Sequence, residues 1–238
     1  PPVAPRAGFL LASVRRLAAS VAPAAGAVAA FALLSAVANA ALVARERVTY
    51  PPPGVLVDVG GRKMHVYSEG NGDARVILWS GLGTPCPVLD WKPLIVELRD
   101  RYTVIVVENF GYGWSEWIDE VRSSSAIVEE TRSALAAAGF EPPFALIPHS
   151  ISGTYALYYL TRYPHEVSAV LALDVDVPKI PEYTDMIPPS YAIGLARKLG
   201  LVRLATKIAP GLASPPSNGS GRRSEERRVG KECRSRWS

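Results

Sequence analysis

The chain has 238 residues, 48% of them hydrophobic and 20% charged, enough for one buried domain with a short appendage. Its formal charge is +4, but residues 223–238 hold six Lys/Arg against three Asp/Glu. Removing them leaves 20 basic and 19 acidic residues, a balance of +1 that excludes a nucleic-acid-binding surface built on net charge.

The chain opens on Pro1, and its first 53 residues read as a membrane segment and linker. From Val21 to Val43 no residue is charged; Arg15 and Arg16 precede the run and Arg45-Glu46-Arg47 follows it. A stretch of this length can cross a bilayer as a helix. Three arginines on the amino side, Arg6, Arg15 and Arg16, would hold that end in the cytoplasm and send the rest across. Ala38-Asn39-Ala40 is also a small-x-small site that a signal peptidase could cut, giving a secreted protein instead of a single-pass, extracytoplasmic one. A buried Ala-rich helix of a soluble domain is the third reading. Tyr50-Pro51-Pro52-Pro53 must end the helix and make a stiff spacer.

Residues 54–177 change rhythm. GVLVDVG and RKMHVYSEG alternate as two antiparallel strands turning at Gly60-Gly61. Arg75–Trp79 and Thr103–Val107 are short apolar runs of the kind that form strands buried on both faces, with a helix expected over Leu89–Arg101 between them. A helix over Ser125–Ala138, a strand over Phe144–Ile147, a helix over Ser152–Tyr163 and a strand over Ala169–Leu173 continue the alternation. Such alternation builds an α/β fold on a mostly parallel sheet. Residues 178–222 turn wholly helical after prolines at 178, 181, 188 and 189, with an amphipathic stretch over Ile193–Ile208, the start of a helical cap. Residues 223–238, RSEERRVGKECRSRWS, resemble the conceptual translation of a sequencing adapter and are read as non-native; a disordered basic tail is the alternative. Cys86, set between Pro85 and Pro87, reads as a packing residue.

The chemistry is expected in FALIPHSISGTYAL. A serine at a sharp strand-to-helix turn has its hydroxyl held clear of the sheet, and G-x-S-x-G is the pattern that lets the turn close. Here Pro148-His149-Ser150-Ile151-Ser152 fills it, followed by Gly153, which makes Ser150 the candidate nucleophile. Its alternative role is a helix N-cap; Ser152 is a rival nucleophile already inside the helix. Ser80-Gly81-Leu82-Gly83 ends the preceding parallel strand, where a main-chain N–H can meet an oxyanion, so Leu82 and Ile151 are the candidate oxyanion-hole donors. Asn109–Ser115, with two glycines, is a tight exit loop.

LWSGLGTP, VVENFGYGWSE, IPHSISG and LALDVDVP, in this order over roughly residues 54–210, resemble the α/β-hydrolase superfamily. The likeness is closer to single-pass, membrane-associated bacterial members with PHS-x-SG where most have GHS-x-GG. Pro148 and Ser152 replace the usual glycines, and Ser80 stands where many members have His. The resemblance implies a serine hydrolase: attack on an ester or related acyl bond of a small-molecule substrate, an acyl-enzyme on Ser150, and neither metal nor organic cofactor. Aminopeptidase, thioesterase and haloperoxidase-like activities share the scaffold, and a membrane-tethered binding module is a reading of another class.

In this family the order along the chain is Ser, then Asp or Glu, then His. After Ser150 the only histidine is His165, placed past the next helix; His65 and His149 read as structural. The catalytic histidine is therefore expected downstream of a chain cut inside its cap, leaving the fragment inactive. Asp174 and Asp176 are candidate acids in a minority arrangement; hydrogen bonding to loop amides is the alternative.

Overall fold

A computed structural model describes residues 6–120, 122–175 and 191–209. Asp176, the residues that open the cap and the 223–238 tail lie outside the described residues. The amino-terminal helix α1 runs from Arg6 to Thr49, through Pro23, and stops where Tyr50 meets the prolines. Its Ala22–Thr49 portion is, by length and composition, one helix apolar enough to cross a membrane. Only Asn39 of that portion is buried, which does not fit a core helix.

β1 (Val55–Val59) and β2 (Arg62–Glu69) form the expected antiparallel hairpin, with Gly60 and Gly61 at φ 62° and 81°. Two consecutive left-handed residues make a turn whose twist matches the strands, and glycine takes both conformations without steric cost. β3 (Arg75–Trp79), β4 (Thr103–Glu108), β5 (Phe144–Ser150) and β6 (Val167–Val170) complete the path β1-β2-β4-β3-β5-β6, and β7 (Leu173–Val175) also pairs with β5. β2 runs antiparallel to β4; β3, β4, β5, β6 and β7 pair in parallel. The sheet is thus mixed and mostly parallel.

Successive residues of a strand point to opposite faces, which sorts the core into two layers. Ile77, Trp79, Ile105 and Val107 pack with α4 (Ser124–Ala137) and α5 (Ser152–Arg162) through Ile127, Leu135, Tyr155 and Tyr159. Val76, Leu78, Val104 and Val106 pack on the other face against Val88 of α2 (Pro87–Asp90) and Ile95 of α3 (Lys92–Leu98). Helices on both faces explain why β3 and β4 are apolar without alternation. Ser123 caps α4, its hydroxyl accepting from the Ala126 N–H at 3.1 Å.

The structure differs from expectation in three places. The helix expected over 89–101 is two helices, α2 and α3, parted at Trp91, because Pro93 lies in the first turn of α3 and supplies no N–H to the turn before it. The strand expected over 169–173 is divided into β6 and β7, with pairing irregularities against β5 at Phe144/Ala145 and His149/Ser150. The amphipathic stretch forms α6 (Tyr191–Lys198) and α7 (Leu201–Ile208), broken at Gly200 with φ 70°, a left-handed turn that ends one helix and opens the next.

Candidate active site

From β3 the chain crosses to β4 on one side and later returns to β5 on the other. The carboxyl ends of β3 and β5 therefore flank a switch point, the place where an open α/β sheet leaves a crevice. Ser80–Gly83 leaves the first of these ends and Ser150 sits at the second.

Ser150 has φ 55°, one of two non-glycine residues in the left-handed region among the described residues. A serine held there costs on the order of 1–3 kcal/mol, and such strain persists only where the surroundings fix it. Ile151 is already helical at φ −55° and occupies the N-cap position of α5, with no side-chain cap bond. Ser150 is thus the last residue of a strand at a sharp corner, half-buried, and does not occupy the N-cap position.

Ser152 has another task. Its hydroxyl is fully buried; it accepts from the His149 N–H at 2.7 Å and lies 2.7 Å from the Trp79 carbonyl and 2.8 Å from the His149 carbonyl, between which its one proton is shared. This side chain pins the corner of β5 to the end of β3. Such an oxygen is unavailable to a substrate, and the bonds occupy the place that a glycine would leave open.

The facing loop comes very close. A β-carbon at Gly81 would stand 2.9 Å from the Ser150 Cβ and 3.2 Å from His149 Nδ1, so only glycine permits the approach. Ser80 accepts the Trp91 indole N–H at 2.6 Å, and Trp91 meets the His149 ring edge-on with centroids 6.3 Å apart. The Tyr112 hydroxyl is pushed up by burial and opposed by a hydrogen bond from the Gly83 main chain, which ties the loop to the 109–115 turn. Leu82, the first candidate oxyanion donor, projects its side chain into solvent.

Of the candidate acids, Asp174 lies on β7, between Leu173, paired with His149, and Val175, paired with Ser150. It is exposed and has φ 46°, the second left-handed non-glycine residue. Asp176 falls outside the described residues. His165 is exposed in the short 3-10 turn Pro164–Glu166, beyond the far end of α5, roughly 16 Å of helix from Ser150. His65 is fully buried: its Nε2 accepts from the Gly54 N–H at 3.1 Å, so the ring proton sits on Nδ1, 3.0 Å from Glu108 Oε2.

Glu108 was not singled out by its sequence context. At the end of β4, without solvent exposure, it also accepts from the Trp114 N–H at 2.7 Å and the Val88 N–H at 3.3 Å, with the Cys86 thiol 3.9 Å away. Any side chain at Gly113 would collide with it. A charged residue closing an otherwise apolar strand was the readable signal. Among the described residues no cluster of three or more His, Cys, Asp or Glu is arranged to hold a metal.

A family model described as alpha/beta hydrolase fold matches residues 74–220, more than half of the chain. The chain is 40% identical over 126 residues to an uncharacterised protein, YbdG, of Bacillus subtilis (strain 168), covering 53% of this chain and 39% of that one. It is 23% identical over 145 residues to a cis-3-alkyl-4-alkyloxetan-2-one decarboxylase of Shewanella oneidensis, covering 60% and 44%. It thus spans about half or less of the curated relatives it matches. Among solved structures, the epoxide hydrolase VrEH1 of Vigna radiata superposes with TM-score 0.55 at 16% identity, covering 77% of this chain and 70% of that one. A carboxylesterase structure from Nitrososphaera gargenis gives 0.51 at 16%, covering 76% and 65%. At these identities the structural likeness speaks for the fold alone.

Proposed function

We propose, from the premise that this chain belongs to the α/β hydrolase fold family, that the complete protein is a serine hydrolase acting on an ester or related acyl bond of a small molecule. The observation that carries the reading is Ser150 itself. It is a left-handed serine at the end of β5, pressed against Gly81 at the sheet's switch point. A residue bent in this way presents its hydroxyl at the rim of the crevice. Attack by Ser150 Oγ on the acyl carbon would form a tetrahedral oxyanion, held by the main-chain N–H groups of Leu82 and Ile151. Collapse would expel the alcohol and leave an acyl-enzyme, which water then cleaves.

The base that takes the serine proton is, in this reading, a histidine outside the 238 residues. His65 is committed to Glu108 and Gly54, and His165 lies beyond the far end of α5. Asp174 is the acid candidate supported by register, since its neighbours pair with His149 and Ser150. The exposed, apolar α1 supports a single-pass anchor in a bacterial membrane with the hydrolase domain on the extracytoplasmic side; cleavage as a signal would instead release the domain.

The test uses the full-length protein against a panel of aryl esters and a serine-directed phosphonate probe. Ser150→Ala is expected to lower kcat/KM by about 10^4-fold or more and to abolish labelling. Turnover that survives this substitution, or a probe found on another residue, sinks the proposal. The 238-residue chain alone is expected to give no turnover above background.

A further inference from the structure

The surface of α1 is of two kinds. From Ala22 to Phe31 every residue is exposed. Beyond that, Ala32, Ser35, Ala36, Asn39, Val43 and Glu46 are turned from solvent. Steps of three and four residues place them on one stripe of the helix.

The polar members of this stripe bind the α6–α7 hairpin. Ser35 Oγ donates to the Leu199 carbonyl at 2.6 Å, and Asn39 Nδ2 to the Arg197 carbonyl at 3.0 Å. Arg203 donates through Nε to Asn39 Oδ1 at 3.3 Å and through its two terminal nitrogens to Glu46 at 2.6 and 2.8 Å. Gly200 lets the turn press in, since a β-carbon there would stand 3.2 Å from the Asn39 Cβ. Next to this seam, Arg197 lies over the Trp117 ring at 4.6 Å and Lys198 is 3.7 Å from Asp119.

These contacts bear on where lipid can be. If the uncharged run 21–43 were embedded, Ser35 would lie about 12 Å beneath the lipid surface at 1.5 Å per residue. Leu199 would follow it down, bringing Arg197, Lys198 and Asp119 toward hydrocarbon, where ionised groups are strongly disfavoured. Residues 17–34 meet no such conflict. They carry no charge, follow directly on Arg15-Arg16, and make about 27 Å of helix, close to the roughly 30 Å hydrocarbon thickness.

We infer that α1 leaves the bilayer at Ser35: residues 17–34 cross it, and residues 35–49 are a stalk that holds the α6–α7 hairpin with its Leu199–Leu201 tip at headgroup level. This rests on the anchor reading above and goes beyond it, because it fixes the membrane boundary and makes the cap a membrane-seated element. The exposed Leu195, Leu201 and Lys198 about the tip are the mixed apolar and basic set that suits an anionic lipid surface.

Single cysteines at Val28, Phe31, Ala38 and Ala41, all exposed positions, test this in the 238-residue chain carrying Cys233→Ser; Cys86 is buried and stays. The protein is inserted in phosphatidylcholine–phosphatidylglycerol vesicles and treated with N-ethylmaleimide, which crosses lipid but reacts with a hydrated thiolate. Positions 38 and 41 are expected to react at least about tenfold faster than 28 and 31, and all four equally once the vesicles are dissolved in denaturant. Protection of 38 and 41 to the level of 28 and 31 overturns the boundary while the anchor stands. A chain that does not float with the vesicles, or that loses its first residues by mass, overturns the anchor reading and the boundary with it.

Discussion

Two polar clusters stand at strand ends on either side of β3, and they differ in burial and in backbone strain. At the end of β4, Glu108 and His65 have no solvent exposure and their polar atoms are matched by Gly54, Val88 and Trp114. At the end of β5, Ser150 is half-buried on a strained backbone, and the nearby Ser152 pins the corner to β3. Burial with full satisfaction suits a structural device; partial exposure with strain is the state that the proposed nucleophile requires. Polarity alone does not separate them.

Breaking the first cluster should have the largest effect on stability. Glu108→Ala strips the partner from a buried histidine and orphans two main-chain N–H groups, and is expected to cost roughly 3–5 kcal/mol in urea unfolding of the full-length protein. A loss below about 1 kcal/mol would mean that water or a neighbour replaces the carboxylate. Ser152→Ala, in the second cluster, removes the pin between β5 and β3 and should cost about 1–3 kcal/mol. Activity would fall with it as the corner of β5 loosens.

Ser150→Gly sharpens the contrast because it moves in the other direction. Glycine adopts a positive φ without steric cost, so the midpoint should rise by the equivalent of about 1 kcal/mol while esterase activity and probe labelling vanish. A destabilised variant would show that the serine is not strained. The smallest effect belongs to Glu69, at the rim of the α2–α3 face. Hydrogen bonds from Lys92 and then Tyr67 bring its carboxyl down to about 2. A lowered folded pKa gives stabilisation that is complete above the unfolded value, about 4.3, and lost as pH falls toward 2. Glu69→Gln should therefore cost about 1 kcal/mol at pH 7, after allowance for solvent screening, with most of that cost gone by pH 2. A cost independent of pH would place the effect in packing and not in charge.

Much of this was legible along the chain because its causes are local. Gly60-Gly61 names its turn, the apolar runs of β3, β4 and β5 name strands covered on both faces, and the motif around Ser150 names a strand-to-helix corner. Pro93 was an equally local sign of the break between α2 and α3, readable from the sequence although the longer apolar periodicity masked it. What depends on distant pairing was hidden. His65 was recognisable as structural, but its partner is 43 residues away. Ser152 reads as a spare hydroxyl until β3 is folded beside it, since the Trp79 carbonyl is 73 residues away. The division of β6 from β7 arises from irregular pairing against β5, which no periodicity records.

Among the described residues β6 closes one side of the sheet, and its Val170, with Leu171 just after it, remains largely open to water. Where no further segment covers it, a border strand of this kind offers its main-chain donors and acceptors to an extended peptide. Preparations of these 238 residues should accordingly be governed by colloidal behaviour: dilute, cool handling would preserve single molecules, whereas concentration would favour edge-to-edge association through that margin.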